Sequence, residues 1–252
     1  MRADLLLVAR GLAASRARAR ELIESGAVVA RIGERDEVLH KPSMGLADDT
    51  PLAVAAGAAL RYVSRGGLKL AGALGHVGLD ATGLACLDLG QSTGGFTDCL
   101  LQAGARRVVG VDVGHGQLHP RLRDDARVRA FEGLNVRALV PARLGTAFPA
   151  TGFDLVVADL SFISLTHALA PAFALARDAG RMLALVKPQF EVGPGGVDRH
   201  GLVRDAGRHD AVRRKVCNAA VDAGWTVEDW FDSPIRGGAG DGNREFFLSA
   251  RK

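Results

Sequence analysis

The chain has 252 residues, with 32 lysines and arginines against 28 aspartates and glutamates, giving a net charge of +4 at pH 7. With 48% hydrophobic and 24% charged residues, it has the composition of one large globular domain, or one large and one small, which excludes disorder over most of its length. Cys86, Cys99 and Cys217 form no C-x-x-C pair and no even set, so neither a disulfide framework nor a metal site is expected. No apolar run approaches the roughly 18 residues of a membrane-spanning helix. The short apolar patch at residues 5–8, interrupted by Arg10, does not make a signal peptide, so a cytoplasmic location is expected.

The first sixty residues read as a separate small α+β unit. A helix is expected over residues 3–10, stopped by Gly11, and a second after Ser15, a good N-cap, running to Gly26. On the second helix Ala19, Leu22 and Ile23 share one face, Arg16 and Arg20 another, and Arg18 lies to the side. Extended segments follow at residues 28–32 and 38–39, joined by a turn at 33–36, and a third at residues 52–54. Residues 1–31 hold six arginines against Asp4, Glu21 and Glu24. Two short helices on a small sheet, with arginines on the second, resemble the RNA-binding motif of ribosomal protein S-four; the carrying stretch is LLLVARGLAASRARARELIESGAVV, followed by HKPS. The sequence departs from that motif at ARIGER, in the turn. The resemblance assigns Arg10, Arg16, Arg18, Arg20 and Lys41 to RNA phosphates and shape. The domains are then 1–57 for RNA, 58–66 as a linker able to carry movement, and 67–252 for the large unit.

From residue 85 onward, short apolar runs alternate with helical patterns, the signature of a parallel sheet covered on both faces. Seven strands are expected, at residues 86–89, 108–111, 128–131, 155–158, 182–186, 226–230 and 245–248, with long helices at 96–103, 165–177 and 205–223. The first strand runs into DLGQSTGGFT, a strand, a glycine-rich turn and a helix start, which suits a nucleotide or nucleoside. The spacing is not G-x-G-x-x-G, and Asp88 would repel a pyrophosphate. Asp112 closes the second strand, where a carboxylate can accept hydrogen bonds from ribose hydroxyls. These features favour S-adenosyl-L-methionine, a cation with a ribose and no phosphate, held by Asp88, Gly90, Ser92, Gly94, Gly95 and Asp112.

Asp159 ends the fourth strand and Lys187 the fifth, both at the carboxyl edge where open α/β sheets bind ligands. Glu245 begins the last strand, and Lys69 sits on a helix leading into the sheet. Singly, each has an ordinary structural explanation: a solvated lysine, a helix cap, a strand-end charge. Four on one rim point to chemistry. The strings VSRGGLKL, LDLGQSTGGFTDCLL, VDVGHGQL, ADLSFISL, VKPQFEVGPGG and GNREFFL closely resemble the TlyA family, called haemolysins in older naming and assigned as ribosomal RNA 2′-O-methyltransferases. The large unit is similar to the FtsJ class, which implies a Rossmann-like seven-stranded methyltransferase sheet and a Lys-Asp-Lys-Glu tetrad, here Lys69, Asp159, Lys187 and Glu245.

The resemblance implies methyl transfer to a cytidine ribose of ribosomal RNA, with the short ends of this chain pointing to large-subunit rRNA. Lys187 is the expected partner of the hydroxyl, as base or as orienting cation; both roles stay open at this stage. The haemolysin name suggests a cytolysin instead, and a non-catalytic RNA-binding ribosome factor is the other alternative. Neither a spanning segment nor a basic amphipathic helix with an aromatic face supports the former, and the complete tetrad argues against the latter.

Overall fold

A computed structural model describes the chain except for residues 14, 25–26, 34, 40, 55–60 and 238–241. The N-terminal unit holds helices α1 (Ala3–Ala9) and α2 (Arg16–Glu24) and strands β1 (Val28–Ile32), β2 (Arg35–Val38) and β3 (Leu52–Val54). The strands form an antiparallel sheet in the order β2-β1-β3. Ser15 caps α2 by accepting the Arg18 N–H at 3.2 Å, and Gly11 takes a φ of +67° just beyond α1. The expected face of α2, Ala19, Leu22 and Ile23, is buried with Leu6, Leu7, Val28 and Leu39 in one small core. Arg35 and Asp36, read as turn, belong to β2, because Arg31 pairs across the hairpin with Asp36 in both backbone register and charge.

The large unit is a seven-stranded mixed sheet. Its strands are β4 (Ala85–Leu89), β5 (Arg107–Val111), β6 (Val128–Phe131), β7 (Phe153–Ala158), β8 (Ala176–Val186), β9 (Thr226–Asp232) and β10 (Phe246–Arg251), in the order β6-β5-β4-β7-β8-β10-β9. The first five are mutually parallel, whereas β10 runs antiparallel to both neighbours. Both faces are covered, which is why the central strands read as continuous apolar runs. Leu87 and Leu89 join the core beneath helices Thr166–Leu175 and Ala206–Asp222. Cys86 joins the opposite core with Leu70, Ala73 and Leu100. Among the described residues, no helix is long and apolar enough to cross a membrane.

Several boundaries differ from the sequence reading: β9 runs on to Asp232, β10 spans Phe246–Arg251 so that Glu245 lies just before it, and two differences bear on the packing. The helix expected over 165–177 ends at Leu175, because Ala176 already pairs with Phe153 as the first residue of β8. β8 then bulges, with Ala179 at a φ of +59°, before regular pairing resumes at Arg181. Of the expected linker 58–66, residues 58–60 lie outside the described residues, but Tyr62 and Val63 are core residues of the large unit. A Cβ on Gly67 would meet the Tyr62 ring at 2.3 Å, so the paired glycines let the apolar side chain pack where a mobile tether was expected. The Val63 N–H donates to the buried Asp98 carboxylate at 2.7 Å, and its carbonyl accepts from Arg18 Nη1 at 3.3 Å.

Asp4, fully buried at the start of α1, accepts two hydrogen bonds from Arg2 and one from Arg16. The Arg2 bonds, seconded by Arg16, hold its carboxyl at about 2 despite burial. Its folded value lies below the ordinary 3.8, so its stabilising contribution is complete above that value and is lost as pH falls toward 2. Asp4→Asn is therefore expected to lower the urea midpoint of the N-terminal unit at pH 6, with the gap to the parent closing as both are titrated below pH 4, followed by circular dichroism.

Candidate active site

The carboxyl edge of the sheet gathers the expected tetrad. Lys187 follows β8 directly, and its Nζ lies 2.6 Å from Asp159 Oδ1, the residue directly after neighbouring β7. The same Nζ donates to Ser161 Oγ at 2.8 Å. On the other side, Val186 of β8 pairs with Phe246 of β10, so Lys187 and Glu245 flank one cross-strand pair. Reversal of β10 thus puts its first residues on the edge where the parallel strands end. Glu245 Oε2 accepts from Lys69 Nζ at 2.5 Å, and both side chains are almost wholly buried. Lys69 comes from helix Gly66–His76, which can lie close because a Cβ at Gly72 would meet Pro234 at 2.6 Å. Glu245 in turn rests against Gly237, whose missing Cβ would sit 2.1 Å from Oε1. Three adjacent strands span about 10 Å, so the two ion pairs stand side by side.

Next to them a cleft of about 520 Å³ opens between the ends of β4, β5 and β7. Gly90, Ser92, Asp112, Gly114, Gln117, Asn135 and Asp159 contribute polar lining; Val111, Val113, Leu134, Val136, Leu160 and Ile163 contribute the apolar part. Asp159 belongs to both tetrad and cleft. The turn after β4 is pinned by Gly90 N–H to Val111 O at 2.9 Å, and Asp159 N–H donates to Leu89 O at 2.9 Å. Gly90 has a φ of +85°, and a Cβ there would lie 2.6 Å from Asp159 O, so only glycine lets the turn approach this closely. Ser92, at a φ of +45°, donates its N–H to Asp112 Oδ2 at 2.8 Å, while Asp112 Oδ1 accepts the Gly114 N–H at 2.7 Å.

Three residues expected to touch a cofactor, Asp88, Gly94 and Gly95, do not line the cleft. A Cβ on Gly94 would meet Leu122 and Leu118, and one on Gly95 would meet Ser64 and Gly67, so the absence of a side chain at both positions allows close packing of the neighbouring segments. Asp88 is fully buried beneath the turn, where Oδ2 accepts from Thr97 Oγ1 at 2.7 Å and Oδ1 has no partner. Burial pushes its carboxyl up to about 7 against the lowering effect of the Thr97 bond, with Asp159 and Asp112 adding to the rise. It thus supports the turn from below.

Ser161 and Phe162 were missed from the sequence, although they sit in the segment after β7 where a rim residue belongs. Phe162 is 91% exposed with a φ of +64°, a conformation costly for an aromatic residue, and its ring lies 5.3 Å from that of Phe190. The arginines of the N-terminal unit are partly engaged. Arg10 donates to Thr50 O and Asp48 O, Arg16 to Asp4, and Arg18 to Val63 O. Arg20 and Lys41 are exposed.

The sheet order, the reversed strand and the cleft at the ends of β4 and β5 define an α/β methyltransferase. An S-adenosylmethionine-dependent methyltransferase from Mesorhizobium loti shares the fold at 16% identity, with a TM-score of 0.50 over 73% of this chain and 98% of that one. The FtsJ-like methyltransferase family matches residues 62–252. Within that class the chain belongs to the TlyA family. The 16S/23S rRNA (cytidine-2′-O)-methyltransferase TlyA of Mycobacterium tuberculosis is 44% identical over 250 residues, 99% of this chain and 89% of its own. A solved structure from Streptococcus thermophilus with a provisional hemolysin description is 39% identical, with a TM-score of 0.76 over 100% of this chain and 88% of that one.

The perturbed Asp88 carries a titration signature. Its folded value lies above the ordinary 3.8, so the folded state holds the proton longer, and this residue's effect on stability worsens as pH rises from 3.8 through about 7. Asp88→Asn keeps an acceptor for Thr97 and cannot ionise. Urea unfolding at pH 5 and pH 8 is expected to show the variant gaining stability relative to the parent at the higher pH.

Proposed function

We propose that the protein transfers the methyl group of S-adenosyl-L-methionine to the 2′-hydroxyl of a cytidine ribose in ribosomal RNA, in the cytoplasm. The observation that carries this reading is the Lys187–Asp159 ion pair on the rim of the cleft, with the Lys69–Glu245 pair beside it. The family membership and the activity named for its Mycobacterium tuberculosis relative support the choice of substrate.

The cleft suits the cofactor. Its volume falls in the range of small-molecule sites, and its lining is mostly apolar, with the carboxylates Asp112 and Asp159 and the guanidinium of Arg137. Asp112, at the end of β5, would accept from the ribose, while Gly90 and Ser92 border it. Asp88 acts from beneath, where its hydrogen bond from Thr97 supports the turn that borders the cleft. When bound, the cofactor supplies a methyl group already activated by a positively charged sulfur. The chain's task is therefore to orient a poor nucleophile and to manage its proton. Asp159 and Ser161 fix Nζ of Lys187, which stands as a positioned ammonium: it donates to the hydroxyl oxygen and stabilises the negative charge that grows there, while the hydroxyl proton passes to the Asp159 carboxylate, which lines the cleft, and from there to water. Lys69 and Glu245 hold the neighbouring strand edge and neutralise each other where water is excluded. Phe162 offers a bare ring at the rim on which a base can stack. The N-terminal unit, within residues 1–57, grips rRNA through Arg10, Arg16, Arg18, Arg20 and Lys41.

Three outcomes test this. Asp112→Ala is expected to weaken cofactor binding by calorimetry and to leave rRNA affinity unchanged. Lys187→Ala is expected to bind both partners and to lose on the order of 10²–10⁴ in single-turnover methyl transfer to purified 16S or 23S rRNA, with no rescue by Lys187→Arg; near-normal turnover would remove Lys187 from the reaction. Arg20→Ala with Lys41→Ala, which leaves the Asp4 cluster intact, is expected to flatten the salt dependence of rRNA binding by about one slope unit for each phosphate no longer neutralised.

A further inference from the structure

Glu191 is a buried carboxylate that the proposed chemistry leaves unused. It is 6% exposed and lies four residues beyond Lys187, at the end of the short helical turn Pro188–Phe190. Its Oε2 accepts from Ser164 Oγ at 2.6 Å and from Lys215 Nζ at 2.9 Å; Oε1 accepts the Leu165 N–H at 2.7 Å. Lys215, on helix Ala206–Asp222, also reaches the Glu191 carbonyl at 2.9 Å.

These bonds complete a seam. The segment after β7 and the segment after β8 leave the sheet as neighbours and stay joined step by step. Asp159 meets Lys187, Ser161 meets the same Nζ, the Phe162 ring lies against the Phe190 ring, and Ser164 and Leu165 close on Glu191. The near end of the seam carries the reacting ammonium and its carboxylate. The middle carries the strained, exposed Phe162. Backbone strain of this kind persists only where the surrounding structure over-determines it, and at the far end the anchor is a single carboxylate with three side-chain and backbone donors. A hydrogen bond in which one partner is charged is about twice as strong as a neutral one, and Glu191 makes three of them at the far end of the seam.

We infer that Glu191 is a positioning residue for methyl transfer: by tying the segment after β7 to the segment after β8 and to Lys215, it sets the placement of Lys187 against Asp159. The inference rests on the methyltransferase reading for its kinetic consequence and on geometry alone for its structural one. Removing the anchor lets the two segments slide apart. A misplacement of about 1 Å at a reacting group costs up to 10²-fold in rate.

The test uses the full chain with Glu191→Gln, which keeps the shape and one acceptor, and Lys215→Met, which removes a half-exposed partner and leaves Glu191 in place. With saturating cofactor and rRNA, Glu191→Gln is expected to lower the single-turnover rate by about 10- to 100-fold, with both affinities and the melting midpoint little changed, and Lys215→Met to lower it in the same direction by a smaller factor. Added to Lys187→Ala, Glu191→Gln is expected to cause no further loss, because it acts through that residue. Hydrogen exchange over residues 159–165 is expected to speed up in Glu191→Gln; this readout needs no substrate. Unchanged exchange there, or a full further loss in the Lys187→Ala background, overturns the positioning role. An rRNA-inactive parent whose Glu191→Gln variant still shows accelerated exchange counts against the methyl-transfer reading and not against the seam.

Discussion

Two lysines held under cover at one edge of a sheet set the terms for the rest of this structure. Lys69 and Glu245 are both nearly inaccessible, and Lys187 with Asp159 is little more open. Removing one partner of a buried pair leaves an uncompensated charge and costs roughly 3–5 kcal/mol, a large part of the roughly 5–15 kcal/mol that a domain has in total. Each lysine therefore has to be met by its carboxylate from a different element. Asp159 comes from the strand beside Lys187. Glu245 can meet Lys69 only because β10 enters the sheet reversed and starts where the parallel strands finish. The exchange of one strand's direction is what turns two isolated pairs into a single rim.

The close-packed glycines around the site do two kinds of work, set by what a Cβ would strike. At Gly90 it would strike a carbonyl of the tetrad's own segment, so the turn after β4 and the segment after β7 form one wall. At Gly67, Gly72 and Gly95 it would strike Tyr62, Pro234 and the Ser64–Gly67 segment, so these positions let helix Gly66–His76 and the Tyr62 segment pack closely onto the large unit, while Gly94 makes room for Leu118 and Leu122. The first kind shapes a cleft; the second brings Lys69 within reach of it. Strain gathers in the same region, with Ser92 and Phe162 both at positive φ.

In the N-terminal unit, charge and availability part company. Arg2 and Arg16 stabilise the buried Asp4, Arg10 ties down the carbonyls of the segment before β3, and Arg18 reaches the large unit at Val63. These arginines thus help hold the unit together through a buried carboxylate and backbone carbonyls. Val63 accepts from Arg18 and donates to Asp98, which lies on the helix that follows the glycine-rich turn, so one residue bonds to both units.

The order of residues along the chain is enough to mark most of the elements and the functional edge. Period and punctuation mark out the seven strands and the two N-terminal helices, because both faces of the sheet are covered and the strand centres read as unbroken apolar runs; the polar first half of β8, Ala176–Arg181, carries no such signal. Residues at the carboxyl ends of such strands can be nominated from chain order alone, as Asp112, Asp159 and Lys187 were. Which groups touch depends on packing between elements far apart in the chain. Asp88, Gly94 and Gly95 sit in the same motif as Gly90 and Ser92, yet three face protein and two face the cleft, since successive residues of a turn point in directions set by their φ values and by what packs behind them. Tyr62 looked like part of a tether until Gly67 made room for its ring. Glu191, Ser161 and Phe162 carried no periodic signal at all. Their partners lie in segments 26 to 28 residues away along the chain, or in a separate helix, and such pairings exist only once parallel strands have been laid side by side.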